Sequence, residues 1–373
     1  MTERLLIAIA FAFSAICGFI FIPMILNFCK ERKLYDIPNA RKIHHNAIPR
    51  LGGVSFLPSM LIAFALSTFV IRQFTTTYEV TLSLWSLYFF ISLMLIYGVG
   101  LIDDLVGLDA KTKFFIQIIA ATLLPLSGLY LNDLYGFMGI HEIPYSVGAP
   151  LTVFVIVFIN NAINLIDGID GLSASLSLIA LGGFLACFYR EDIFSYTILI
   201  AGLMGVLVPF LYYNLLGKPE KNRKIFMGDS GSLTLGFILG FLTIKLSMDN
   251  LWVLPVRNDN RLLTSYTLLI VPMFDVVRVS LVRLWHRTPI FQADKNHIHH
   301  KLMRTGLNQH LTLIVIVLLA LFYICLNQSL AESTSSTAIV AIDIALWMAF
   351  HFIVNRAILK NGNAVFLKNN SNE

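Results

Sequence analysis

The amino-acid sequence predicts an all-α polytopic membrane protein, a single integral membrane domain over residues 1–373. About eleven transmembrane helices are expected, with the amino terminus outside and the carboxyl terminus in the cytoplasm. Three observations lead there. Of 373 residues, 57% are hydrophobic and 13% are charged, about half the charged share of a soluble domain. So few polar side chains cannot cover that much apolar surface, and lipid must solvate most of the chain. Apolar runs close to the ~20 residues that span a bilayer recur along the whole sequence. The lysines and arginines, finally, are segregated into alternate connections between those runs.

The first run, 5–28, is too long for the core of a signal peptide, and its heavy positive charge follows it, so it reads as a retained first helix. Further runs lie at 51–71, 84–101, 114–131, 149–165, 172–189, 194–213, 230–246, 262–281, 311–326 and 339–358. The connection 132–148, NDLYGFMGIHEIPYSVG, alternates weakly and reads as a short hairpin. Cys17, Cys29, Cys187 and Cys325 lie in or beside apolar runs without C-x-x-C spacing and read as small buried hydrophobes. Neither an internal repeat nor a low-complexity linker is visible.

Charge sets the orientation. The connection 29–50 holds Lys30, Arg32, Lys33, Arg41, Lys42 and Arg50, and such loops stay in the cytoplasm. Alternation then places 21 of the 27 basic residues inside and six outside: Arg4, Arg72, Arg190, Lys245, Arg257 and Arg261. A wrong helix count would scramble that asymmetry.

With this topology, four polar clusters fall on the cytoplasmic face. The first is Asp103-Asp104 in GLIDDLVGLDAKTK, which also supplies Lys113. Adjacent carboxylates repel, and more so at a membrane boundary, so the pair calls for a cation. Oxygen-only ligands suit Mg²⁺, or Mn²⁺, bridging carboxylates to substrate phosphates. The second is NNAINLIDGIDG, residues 160–171, where Asn161, Asn164, Asp167 and Asp170 recur at steps of three along one side of a helix end. The third is FMGDSGS, residues 226–232. Its small residues and free N–H groups suit a phosphate, although Asp229 or Ser230 as a plain N-cap explains part of it. The fourth is DKNHIHHK, residues 294–301. Beside Asp294 its histidines allow a zinc site, but with Lys295, Lys301 and Arg304 they read better as a phosphate- or sugar-binding loop.

Those motifs, with PRLGG at 49–53, resemble in order and spacing the polyprenyl-phosphate N-acetylhexosamine-1-phosphate transferase family, across almost the whole chain. The muramoyl-pentapeptide branch typically carries T-P-T-M-G-G, three consecutive histidines and ten helices. This chain, with IPRLGG, the split HIHH and eleven helices, is more similar to the N-acetylglucosamine branch. The resemblance implies transfer of GlcNAc-1-phosphate from UDP-GlcNAc to undecaprenyl phosphate with release of UMP, in the bacterial inner membrane, as the first membrane step of a surface-polysaccharide pathway. It leaves UDP-GalNAc, another UDP-N-acetylhexosamine and UDP-MurNAc-pentapeptide open as donors, direct and covalent routes open as mechanisms, and a homodimer open as an assembly. No nucleic-acid partner is expected.

Residue roles carry over in the same way. Asn164 and Asp229 match the family's Mg²⁺ positions. Asp103 and Asp104 match an aspartate pair that activates the lipid phosphate and assists the metal, and Asp167 falls in the catalytic cluster. Lys113 matches a phosphate-binding lysine, Phe226 an aromatic stacked on uracil, and Asp170 a uracil reader. His297, His299 and His300 match the sugar-diphosphate loop. Asn46 stands where the muramoyl branch has a uridine-binding lysine, a contact that Lys42 or Arg50 would have to replace. A secondary transporter is the reading of a different class, prompted by Lys245, Asp275 and Asp343 in apolar runs. Transporter sites sit near the midplane at repeat interfaces, however, whereas here the acids gather at cytoplasmic ends. Asp275 and Arg278 read as a helix-surface pair, and Asp343 shows no partner in sequence.

Overall fold

The computed structural model describes residues 2–35, 48–74, 83–249, 260–289 and 295–360. Lys42, Asn46 and Asp294 lie outside them. Among the described residues the regular structure is helical apart from one hairpin. In order it forms α1 (Thr2–Arg32), a short 3₁₀ turn (Gly52–Ser55), α2 (Phe56–Phe74), α3 (Leu84–Val106) and α4 (Ala110–Leu126). Then come β1 (Asp133–Phe137), β2 (Ile140–Glu142), α5 (Tyr145–Ile166), α6 (Leu172–Arg190), α7 (Phe194–Leu215) and α8 (Gly228–Ser247). The chain ends with α9 (Arg261–Leu268), α10 (Ile270–Trp285), α11 (Ile298–Arg304), α12 (Gln309–Leu330) and α13 (Ser336–Lys360). The antiparallel pair β1–β2 is the hairpin expected from 132–148, and Met138 donates its N–H to Thr337 Oγ1 at 2.7 Å, tying it to α13.

Among the described residues nine helices are long and apolar enough to cross a membrane. The chain is a multi-pass membrane protein. The two expected runs without a full-length counterpart are informative. α4 begins four residues before the expected run because Asp109 caps it, accepting the Thr112 N–H at 3.0 Å, and it stops at Leu126 where Ser127 and Gly128 turn. The run 262–281 is broken at Leu269 into α9 and α10.

α8 is the axis of the fold. Its whole apolar span is buried, whereas α1, α12 and α13 leave most of theirs facing outward. Apolar burial does not drive helices together in lipid; close packing does, and small residues permit it. Gly236 and Gly240 bring α8 against α5 at Asn160 and Ile156, with no room for a Cβ at Gly236. α3 packs on α8 from another side, and α1, α2 and α7 form a layer beside it. A second apolar cluster joins α10, α12 and α13 through Ile270, Tyr323, Trp347 and Val354.

Three expectations are corrected. Asp343 is well partnered, accepting from Tyr266 Oη at 3.1 Å and from Asn327 Nδ2 at 2.9 Å. Of the four cysteines only Cys29 is buried, while Cys325 is exposed. Asp275 is wholly buried, not a surface residue, because α11 closes over it.

Candidate active site

The centre forms where the end of α3 meets the start of α8. A helix begins with N–H groups that its own backbone cannot satisfy. At α8 they are met by Asp104 of α3, which accepts the N–H of Asp229 at 2.8 Å and of Ser230 at 2.9 Å. Capping, which the sequence assigned to Asp229 or Ser230, thus falls to a residue 125 positions away. Gly228 makes it possible. Its φ of +74° suits glycine, and a Cβ there would collide with the Arg50 carbonyl and the Asp104 carboxylate.

The segment 49–53 holds this turn from the other side. Phe226 donates its N–H to the Pro49 carbonyl at 2.8 Å, Gly52 to Phe226 at 2.9 Å and Gly53 to Met227 at 2.8 Å. Gly53 lies directly on Gly231, so any side chain there would strike backbone. Arg50, the possible nucleotide contact, donates through Nε to the Asp104 carbonyl at 2.9 Å. It thereby clamps the end of α3.

Capping of Asp229's backbone leaves its side chain free to face the neighbouring helices. Lys113 of α4 donates to Asp229 Oδ2 at 2.6 Å and to Asp103 Oδ2 at 3.1 Å. Asn164 of α5 donates to Asp229 Oδ1 at 3.0 Å and to Ser232 Oγ at 2.8 Å. Four helices therefore converge on one carboxylate. Asp103, Asp229 and the Asn164 side-chain oxygen offer oxygen only. Among the described residues no three His, Cys, Asp or Glu side chains gather as a metal cage. One or two carboxylates, with phosphate and water completing the shell, is how Mg²⁺ is usually held. The donor set fits that ion and does not fit structural zinc.

The expected row of Asn161, Asn164, Asp167 and Asp170 divides where α5 ends. Asn161 turns toward α4 and donates to Gln117 Oε1 at 2.6 Å. Asp167 follows the last helical residue, and burial, with Asp229, Asp170 and Asp104 adding to it, pushes its pKa up to about 8. Asp170 is drawn off by the turn to Lys224, at 2.6 Å. Lys224, two residues before Phe226, escaped the sequence reading because nothing in its own neighbourhood marks a pairing across 54 positions.

The histidines approach from α11, His299 and His300 within it and His297 at its N-cap. His297 and His299 are buried, with their rings parallel at 6.0 Å, and His299 and His300 are 4.3 Å apart. The His299 ring occupies the space where a Cβ of Gly168 would lie, so the fourth motif rests on the second. Burial first, then His300, lowers the His299 pKa to about 3. It is a neutral hydrogen-bonding group at physiological pH.

A cavity of about 670 Å³ opens beside this centre, reached by Lys113, Asn164 and the histidines, whereas Asp103, Asp104, Asp167, Asp170, Phe226 and Asp229 do not line it. At one end it is lined by Lys113, Asn164, Gly168 and the three histidines. Its walls are apolar, from Phe114 and Ile118 of α4 and Val153, Phe154, Val157 and Phe158 of α5. Arg283 of α10 lines it as well, a basic residue that the sequence reading passed over.

Fold and site together define a multi-pass membrane protein whose polar centre opens into an apolar groove. Comparison with known proteins narrows this. The model of glycosyl transferase family 4 matches residues 85–247, which carry three of the four motifs. A Bacillus subtilis (strain 168) protein named "Probable undecaprenyl-phosphate N-acetylglucosaminyl 1-phosphate transferase" is 30% identical over 361 residues, 95% of this chain and 90% of its own. Proteins named "Undecaprenyl-phosphate alpha-N-acetylglucosaminyl 1-phosphate transferase" are 29% identical in Yersinia pestis and 28% in Escherichia coli (strain K12). These cover 77% and 81% of this chain, and 74% and 79% of their own. The chain belongs to glycosyl transferase family 4 and is an enzyme, a transferase.

Proposed function

We propose that the protein transfers N-acetylglucosamine-1-phosphate from UDP-GlcNAc to undecaprenyl phosphate and releases UMP. The observation that carries this is the shape of the cavity. A polar end able to hold a diphosphate runs directly into an apolar groove between α4 and α5. A soluble acceptor would have no use for that groove, whereas a polyprenyl chain needs one. The names of the relatives agree with it.

An oxygen of the lipid phosphate attacks the β-phosphorus of the donor. A new P–O bond forms, the bond between that phosphorus and the bridging oxygen breaks, and UMP leaves with the electron pair. Lys113 neutralises phosphate charge, and Asp229 and Asn164 would hold Mg²⁺, which spreads the charge of the transferred group when bound. Asp104 positions Asp229 by capping α8, and Asp103 shares Lys113 with it. Phe226 and Asp170 take the uracil end, with Lys224 orienting Asp170. His297, His299 and His300 take the sugar-diphosphate end.

Eleven crossings remain the best count. α4 is a short one, and α9 with α10 a broken one. The charge asymmetry supports an amino terminus in the periplasm and a site at the cytoplasmic face of the inner membrane. A panel of radiolabelled donors tests the activity on purified protein in liposomes containing undecaprenyl phosphate. UDP-GlcNAc should give UMP and labelled lipid. A lipid product from UDP-GalNAc alone would overturn the sugar, and uptake of donor without UMP release would overturn the transferase reading.

A further inference from the structure

One carboxylate touches the site without belonging to any of the four motifs. Asp275 of α10 has no exposed surface, and besides Arg278 of its own helix its contacts run to the entrance of α11. Its Oδ2 meets His297 Nδ1 at 2.8 Å, and its Oδ1 accepts the N–H of Ile298 at 2.9 Å. Arg278 donates to the same Oδ1 at 2.9 Å and also reaches the carbonyl of Asn296. Asn296, His297 and Ile298 are thus gripped together.

The chemistry of the contact fixes a proton. An ionised carboxylate only accepts hydrogen bonds, so the imidazole nitrogen facing it must carry hydrogen. With the proton on Nδ1, the neutral ring presents Nε2 as an acceptor. Nε2 lies on the opposite edge of the ring from the nitrogen that meets Asp275, and His297 is one of the residues lining the cavity, with His299, His300 and Arg283. Carboxylates that set the tautomer of a functional histidine in this way are a recurrent device in metal and catalytic sites.

We propose that Asp275 is a positioning residue that fixes the Nδ1–H tautomer of His297, so that Nε2 accepts a hydrogen bond from a hydroxyl or amide N–H of the donor sugar. This rests on the transferase reading above. Anchoring of α11 by the Ile298 and Arg278 contacts is a separate task of the same residue, and the two come apart in a substitution. Asp275→Asn can keep its oxygen toward Ile298 and Arg278. Its amide nitrogen then faces Nδ1, which moves the ring proton to Nε2 and turns an acceptor into a donor.

The experiment is steady-state kinetics of purified variants with UDP-GlcNAc and undecaprenyl phosphate, beside melting temperatures and inhibition by UMP. Asp275→Asn should lose at least tenfold in kcat/KM for UDP-GlcNAc. The KM for the lipid, the UMP inhibition constant and the melting temperature should stay close to those of the parent. His297→Asn keeps an N–H for Asp275 but has no Nε2, and should show the same loss even if Asp275→Asn fails to fold. The double variant Asp275→Asn/His297→Asn should be no worse than His297→Asn alone. Parent-like kcat/KM in His297→Asn, losses that multiply in the double variant, or equal weakening of lipid and UMP binding would each overturn the proposal. If the parent itself releases no UMP from any UDP-sugar, the transferase reading fails instead.

Discussion

Asp104 and Asp229 are both aspartates at the junction of α3 and α8, and their surroundings divide the work between them. Both oxygens of Asp104 are taken by backbone N–H groups, and it holds the helix start in place. Asp229 turns its carboxylate toward Lys113 and Asn164, where charge is handled. Substitution should separate them. Asp229→Asn should melt like the parent but lose at least a hundredfold in turnover and respond abnormally to Mg²⁺. Near-normal activity and metal response would leave Asp229 a structural residue. Asp104→Asn should lose stability as well, because an amide nitrogen would face an N–H; a hydrogen bond to a charged group is worth about 1.5–3 kcal/mol. Thermal melts of the two variants check the contrast. Phe226 and His299 divide in the same spirit. Base–aromatic stacking is worth about 1–3 kcal/mol, so Phe226→Ala should weaken donor use by roughly tenfold to a hundredfold and weaken UMP inhibition with it. His299→Ala should impair donor use and leave UMP inhibition nearly unchanged, since UMP lacks the sugar and the β-phosphate. The opposite pattern of UMP inhibition would reverse the two assignments.

Among the elements, those with a local signal are legible in the sequence, and contacts between distant segments are not. A run such as 172–189 states its own length, and α6 follows it to within one residue. The steps of three in 160–171 held only while α5 lasted. Past Ile166 the backbone turns, and Asp170 leaves the row for Lys224. A spacing of three marks Asp275 as a surface partner of Arg278, and the pair does form, but buried. The segment that buries it, 296–298, arrives from more than twenty positions downstream and leaves no trace near Asp275. Asp104 as the cap of α8 was hidden for the same reason. Contact between the second and fourth motifs is likewise invisible in sequence, but it can be probed. In Gly168→Ala the new methyl would collide with the His299 ring. The variant should keep its melting temperature within a few degrees and raise the KM for UDP-GlcNAc several-fold. An unchanged KM would mean that the two loops do not dock during turnover.

For the whole molecule, the architecture separates a buried axis from an outward-facing apolar shell, with the polar centre at one end of the axis. Buried α8 carries Asp229 at its first turn, and α3, α4 and α5 bring Asp103, Lys113 and Asn164 to it. If charge segregation sets the topology, all four motifs share the cytoplasmic side. Single cysteines at Ala110 and Asn296, in a chain stripped of its own four, should resist impermeant thiol reagents in intact cells and react once the membrane is opened. Reaction of either from outside would break the single-face arrangement. The central claim is that a phosphoryl group passes from a nucleotide-sugar to a lipid phosphate at Asp229. It is tested most directly with UDP-GlcNAc labelled with ³²P at the β-phosphate, incubated with purified protein and undecaprenyl phosphate. The account predicts that the label moves into the lipid together with the sugar, unlabelled UMP appears in equal amount, and Asp229→Asn abolishes both. Label recovered in UDP or in free phosphate, or transfer that survives in Asp229→Asn, would contradict it.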